Sequence, residues 1–381
     1  MEYRSLGRTG IKVSALGFGC MRLPTLGAPD RIDEASAARL LHDAIEAGVT
    51  YVDTAWFYHA TSFGQAGQSE PFVGRALSGG WRDRVLLATK LPQQTIRAKE
   101  EMGRYLDQQL ERLQTDHIDF YLVHGLDGES WNRMRDLGVR EFLDDARKRG
   151  RIRFAAFSFH GHQDDFPRIV DEYDGWALAQ IQYNYMDTTF QAGLAGLRYA
   201  AEKGLGVVVM EPLKGGRLAK SLPPEMQAVF DARSEGWSPA EWALRYVWNE
   251  PGVSLLLSGM NEPAQLQENL RVAALARPHA LSSEQLSVYD GARDAMRGRI
   301  KADCTACRYC QPCPHGVEIP ELLAALNASS VWNTRDQWLT GYTRIAGKPD
   351  ACVECGQCED MCPQSLPIRE LLKETARTFA A

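Results

Sequence analysis

The sequence has no block of lysines and arginines, and its formal charge is −6. A nucleic-acid partner is therefore not expected. No apolar run reaches the length a bilayer requires, so no membrane span is expected. The first residues, Met1-Glu2-Tyr3-Arg4-Ser5, lack the apolar stretch of a secretory signal, which makes the cytoplasm the expected location. Cysteine is almost missing before residue 300, where Cys20 stands alone. A lone cysteine after an apolar strand is more often a small buried hydrophobe than a ligand. The 381 residues are 44% hydrophobic and 24% charged. That is the composition of a globular chain with a large core and room for more than one domain.

What is present is an alternation of strand and helix patterns. Apolar strand runs fall at 13–19, 49–53, 85–90, 118–124, 152–158, 178–183, 206–210 and 253–258. Helical periodicity follows them at about 35–47, 69–78, 97–112, 139–149, 164–172, 191–203, 238–248 and 263–275, with Gly48 as the C′ glycine of the first helix. The strands are near-continuous apolar runs, as strands covered on both faces should be. Eight strand-then-helix units match a (β/α)8 TIM barrel over residues 1–280, an α/β fold, with residues 1–12 as a small hairpin or plug. A doubly wound sheet is the alternative, but Gly17-Phe18-Gly19-Cys20 is not followed by the third glycine of its usual first turn. Residues 281–301 read as a linking helix capped by Ser282 or Ser283. Residues 302–381 form a second, small and mainly α-helical domain.

Three of the strands end on chemistry. The run at 49–53 ends on Asp53, with Tyr58 in the loop beyond; the run at 85–90 ends on Lys90; the run at 118–124 ends on His124. A barrel gathers the C-terminal ends of its strands at one mouth. A buried carboxylate there is costly unless a cation meets it. An acid, an amine, a phenol and an imidazole at strand tips therefore read as one catalytic site. A structural Asp–Lys ion pair with a satisfied histidine is the plainer reading of each residue alone.

The composition changes abruptly near residue 302. Cys304, Cys307, Cys310 and Cys313-Pro314 form one run; Cys352, Cys355, Cys358 and Cys362-Pro363 form another, with the spacing of two-cluster ferredoxins. The residues after each run also match, with proline, isoleucine, glutamate and a leucine pair at equal offsets: Pro314, Ile319, Glu321, Leu322, Leu323 and Pro363, Ile368, Glu370, Leu371, Leu372. An internal duplication is expected, each half a cysteine loop feeding a helix. In the ferredoxin pattern the proline-linked cysteine serves the other cluster. Crossed ligation then places Cys304, Cys307, Cys310 and Cys362 on one [4Fe–4S] cluster and Cys352, Cys355, Cys358 and Cys313 on the other. Two four-thiolate zinc sites are the alternative.

Asp53-Thr54-Ala55-x-x-Tyr58, Gly67-Gln68-Ser69-Glu70, Thr89-Lys90 and Leu122-Val123-His124, in that order, resemble the aldo/keto reductase superfamily over residues 1–275. The cysteine tail resembles the ferredoxin-type extension of one branch of it. The resemblance implies a (β/α)8 barrel, a nicotinamide cofactor, NAD(P)(H), and a small carbonyl or alcohol substrate. It also implies a catalytic tetrad of Tyr58, Asp53, Lys90 and His124. In this scheme Lys90 lowers the pKa of Tyr58, the proton donor; Asp53 holds Lys90; His124 orients the carbonyl. His59 and His160 are further mouth candidates, and solvated loop histidines are equally common. Trp56, Phe57, Phe63 and Trp131 are candidates for an apolar pocket, Trp56 and Phe57 equally for core.

For the cofactor the resemblance points to Ser158, Gln180, Met210, Pro212 and Leu213, then Ser258, Gly259, Met260, Gln265, Glu268 and Asn269. No lysine or arginine occupies 259–265, and Glu262 is acidic, so a 2′-phosphate lacks its expected partner there. The function expected is an NAD(P)-dependent oxidoreductase reducing an aldehyde or ketone, or oxidising the alcohol, with two [4Fe–4S] clusters. The alternative is an iron–sulfur electron-transfer or redox-sensing module with an electron-transfer protein partner, the barrel serving as a docking or cofactor-binding scaffold.

Overall fold

A computed structural model describes residues 1–62, 64–220, 222–304, 306–332 and 335–380. It comprises two compact units: Met1–Gly216 with Ala240–Ser282, and Arg217–Pro239 with Ser283–Ala381.

The first unit opens with an antiparallel hairpin of β1 (Tyr3–Ser5) and β2 (Lys12–Ser14). Then come β3 (Leu16–Gly19), β4 (Tyr51–Asp53), β5 (Leu86–Leu91), β6 (Ile118–Leu126), β7 (Ile152–Phe159), β8 (Trp176–Gln182), β9 (Gly206–Met210) and β10 (Leu255–Ser258). These eight pair in parallel in chain order, and β10 returns to β3 to close a barrel. Alternation sorts their side chains. Tyr51, Ala88, Phe120, Leu122, Ala156, Leu178, Val208 and Leu255 fill the inside, joined by Leu6 and Val13 of the hairpin. Val52, Leu87, Tyr121, Val123, Phe157, Ala179, Val207 and Leu256 face the other way, into the core that also takes the helices' apolar faces. Burial on both faces explains the unbroken apolar runs.

The strand expected at 13–19 is in fact two. Val13 belongs to β2, and β3 begins at Leu16. Arg4 holds the hairpin by donating to the carbonyls of Trp248, Val253 and Ala276, so the apolar Val13 packs inside the barrel without belonging to its wall. The eight expected helices are present, from Glu34–Glu46 to Pro263–Ala273. Asp33 caps the first through the Ser36 amide, and Gly48 follows its end at φ +97°. One further helix, Gly128–Asp136, follows β6, capped by Asp127 and Ser130.

In the second unit, the segment after β9 supplies helices Arg217–Lys220 and Pro224–Asp231, the latter packed on the linking helix Ser283–Arg297. Helices Ile319–Trp332 and Ile368–Phe379 follow the two cysteine runs and pack together. Ile319, Leu322 and Leu323 meet Ile368, Leu371 and Leu372 in one cluster. These are the residues at equal offsets in the two repeats. A helix between them, Arg335–Arg344, was not evident from the sequence. No helix among the described residues is long and apolar enough to cross a membrane.

Candidate functional site

The barrel register aligns the strand ends. Asp53 lies opposite Gly19 on one side and Ala88 on the other, Lys90 opposite Leu122, and Ser158 opposite Gln180. Lys90 is fully buried and Asp53 is 1% exposed. The Lys90 ammonium lies 2.7 Å from both Asp53 oxygens, donates to the Thr54 carbonyl at 2.8 Å, and reaches the Tyr58 hydroxyl at 3.1 Å. Lys90 donates to the phenol oxygen, and the phenol in turn hydrogen-bonds toward Asp53. The Tyr58 and His124 rings meet edge to face with centroids 6.2 Å apart.

Burial pulls the Lys90 ammonium down, but Asp53 and Tyr58 hold it above its ordinary value. Burial pushes the Asp53 carboxyl up against the pull of Lys90. These directions oppose each other; the contact to both carboxylate oxygens favours the ion pair. The expected lowering of the Tyr58 pKa is corrected. Burial outweighs the pull of Lys90, Asp53 offsets that pull further, and the phenol is pushed up to about 12. Tyr58 thus stays protonated at neutral pH. Burial, then the nearby Lys90 and His160, keep His124 well below its ordinary value and so neutral. Its Nδ1 has no hydrogen-bond partner among the described residues.

Asp53, Tyr58 and His124 line one cavity together with Ser158, His160, Gln180, Met210 and Gly259. Gln180 is buried, its amide nitrogen 3.8 Å from the Met210 sulfur and its Oε1 unpartnered among the described residues. Ser158 accepts a hydrogen bond from the Gly125 amide at 2.7 Å. The other expected cofactor residues, Pro212, Leu213, Ser258, Met260, Gln265, Glu268 and Asn269, are not among those lining this cavity. Asn269 donates to Ser258 at 2.9 Å inside the protein, Met260 is core, and Gln265 accepts from the Asn261 amide. Met21, Arg22, Glu211 and Leu257 also line the cavity and were missed. Arg22 and Glu211 stand 3.6 Å apart. Both sit just past the C-terminal end of a barrel strand, which was the available signal.

Trp131 is corrected as a pocket residue: it is fully buried, packs at a tilt against Trp176 and donates to Glu172. Trp56 packs edge-on to Tyr105, and Phe57 stacks on His124 at 5.9 Å. Phe63 lies outside the described residues. His59 binds the Leu23 amide and the Pro29 carbonyl, and so serves its loop. Cys20 is buried core.

In the second unit, Cys304, Cys307, Cys310 and Cys362 line one cavity. Cys313, Cys352, Cys355 and Cys358 line another, which Cys310 also borders. Among the described residues no three such side chains meet at a point that fits a single ion. Each cavity draws three cysteines from one run and the proline-linked cysteine of the other. Burial pushes the Cys310 thiol up, and Cys304, Cys307 and Cys362 add to it; burial and Glu359 push Cys358 up to about 11. Bound iron would relieve such crowding by holding the sulfurs as thiolates.

Residues 15–292 match the model of the aldo/keto reductase family. The chain belongs to the aldo/keto reductase family. Residues 303–366 match a 4Fe-4S dicluster domain, so this aldo/keto reductase carries a C-terminal iron–sulfur domain. It is 28% identical over 306 residues to L-galactose dehydrogenase of Arabidopsis thaliana, covering 75% of this chain and 91% of that one. It is 28% identical over 278 residues to 6-dehydroglucose reductase of Novosphingobium aromaticivorans, covering 70% and 88%. The aldo-keto reductase AKR11C1 from Bacillus halodurans, in its holo form, superposes with a TM-score of 0.62 at 26% identity, covering 77% of this chain and 96% of that one. This aldo/keto reductase is an oxidoreductase.

Proposed function

We propose that this enzyme reduces an aldehyde or ketone, or oxidises the corresponding alcohol, with NAD(P)H, that Tyr58 is the proton donor, and that residues 302–381 hold two [4Fe–4S] clusters. The observation that carries the reading is the Lys90 ammonium shared between Asp53 and the Tyr58 hydroxyl at the wall of a cavity. A nicotinamide bound in that cavity supplies the hydride. Gln180, whose buried amide oxygen has no partner among the described residues, and Ser158 are the residues suited to hold its carboxamide. As negative charge grows on the carbonyl oxygen, Tyr58 gives up its proton, and Lys90, fixed by Asp53, stabilises the phenolate left behind. Neutral His124 orients the carbonyl. Burial of the Asp53–Lys90 pair keeps water away from both.

The names of two relatives contain a sugar, and His160, Arg22 and Glu211 give the mouth polar groups suited to a hydroxylated carbonyl compound. The second domain suits exchange of electrons with a protein partner, since Cys307 and Cys355 are exposed. Anaerobic purification followed by titration with each nicotinamide, watching both chromophores, tests the whole reading. A protein that binds neither nicotinamide fails it.

Cofactor choice gives a sharper expectation. Residues 259–265 have no cation, and Arg271 is taken by the buried Glu241 at 2.5 Å. NADH should therefore bind at least as tightly as NADPH. Dissociation constants for the two decide it; a clear preference for NADPH would show that another cation reaches the 2′-phosphate.

A further inference from the structure

The Gly67-Gln68-Ser69-Glu70 motif lies outside the cavity, yet it is wired to both halves of the proton-donating pair. Glu70 is fully buried at the start of helix Ser69–Ala76. Its Oε1 accepts from the Thr89 hydroxyl at 2.7 Å and from Gln109 Nε2 at 2.6 Å; its Oε2 accepts from Arg112 Nε at 2.9 Å. Thr89 and Lys90 are neighbours on β5, so their side chains leave opposite faces of the wall. The strand that aims Lys90 inward is thus held by Glu70 from outside. Gln109 adds a bond of 3.0 Å to the Lys90 carbonyl, and Tyr121 fixes Gln109 from its other end at 2.7 Å.

The same helix start holds the Tyr58 loop. The Gly67 amide donates to the Trp56 carbonyl at 2.7 Å, and the Ser69 amide to the Tyr58 carbonyl at 3.2 Å. A Cβ at Gly67 would fall 1.9 Å from the Tyr58 carbonyl oxygen, so only glycine permits this approach. Arg112 closes the loop by bonding the Gly67 carbonyl and lying over the Trp56 ring, 4.8 Å from its centre.

We propose that Glu70, acting through Thr89, Gln109 and Arg112, is the positioning residue that sets the Tyr58–Lys90 separation from outside the barrel. This rests on Tyr58 being the proton donor. A carboxylate suits the position because it joins three donors, Thr89 on β5 and Gln109 and Arg112 on helix Lys99–Leu113, and one of them is a cation.

Glu70→Gln keeps the size but turns an amide toward donors, and Thr89→Val keeps the shape while deleting one link. Single-turnover reduction of 4-nitrobenzaldehyde, nicotinamide dissociation constants and amide hydrogen exchange would be measured for both, with Tyr58→Phe alongside and the exposed Arg75→Gln as control. Glu70→Gln should slow the single turnover by about tenfold or more, since displacements of under an ångström have effects of that order. Thr89→Val should slow it less. Nicotinamide binding should hold in both, and the Gly67 and Ser69 amides should exchange faster while β8 and β9 do not. If Glu70→Gln does not fold, Thr89→Val decides. Wild-type single turnover and exchange in the two variants, with Tyr58→Phe inactive, would overturn the positioning role alone. Full turnover in Tyr58→Phe would overturn the proton-donor reading beneath it. A loss shared equally by turnover and nicotinamide binding would reduce the network to general fold support and overturn the proposal.

Discussion

Tyr58→Phe is expected to lower carbonyl reduction by about 10² to 10⁴-fold, the usual contribution of a positioned general acid. The substitution removes only the hydroxyl. The ring keeps its edge contact with His124, and Lys90 keeps both Asp53 oxygens and the Thr54 carbonyl. Nicotinamide binding should therefore be unchanged, and the loss should appear in kcat rather than in the dissociation constant. The pH dependence follows from the same proton. Reduction needs Tyr58 protonated, and burial has pushed the phenol up to about 12. The reduction rate should stay level through neutral pH and fall only at strongly alkaline pH. Alcohol oxidation needs the phenolate as base and should rise across that range. A Phe variant with near-full turnover would remove Tyr58 from the mechanism; a reduction rate that falls already near neutral pH in the wild type and not in the Phe variant would show that Lys90 lowers the phenol instead of burial raising it.

The signals in the sequence were strongest where one physical demand acted alone. Strands buried on both faces must be apolar throughout, so β5 and β6 were visible as runs, and Lys90 and His124 stood out at or near their ends. Demands met by distant partners were less visible. Val13 is apolar enough for the barrel wall, but Arg4 binds carbonyls more than 240 residues away and holds it in the hairpin. Helix Gly128–Asp136 buries only Gly128, Trp131 and Met134, too few apolar positions for its period to show. Trp131 therefore looked like a free aromatic when it was core. Among the cavity residues, Arg22 and Glu211 were missed because a charged loop residue looks the same whether it faces solvent or a site. The sign of the Tyr58 shift was missed for a related reason. The neighbouring ammonium was implied by the motif, but the depth of burial that outweighs it belongs to the assembled barrel. The paired cysteine runs were legible because a cluster fixes both spacing and ligand type at once.

Removing one proline-linked thiol should damage the cluster of the opposite run. Cys362 follows Cys358 in sequence, yet it lines the cavity of Cys304, Cys307 and Cys310. Cys313 follows Cys310, yet it lines the cavity of Cys352, Cys355 and Cys358. Helices Ile319–Trp332 and Ile368–Phe379 bring this about, because their matched isoleucines and leucines pack across each other and set the loops side by side. Anaerobically purified protein should be brown and contain about eight iron atoms per chain if both cubanes are full. Cys362→Ser should lower the iron content and disturb the spectrum of the cluster held by Cys304, Cys307 and Cys310. The cluster of its own run should be affected less. Crossed ligation would also tie the halves together, so iron removal by a chelator should unfold residues 302–381 cooperatively, seen as a loss of amide protection there and not in β3–β10. Damage confined to the cluster of Cys352, Cys355 and Cys358 would reject the crossing. A colourless protein with stoichiometric zinc would reject the clusters, because four thiolates around one zinc ion need no partner from the other run.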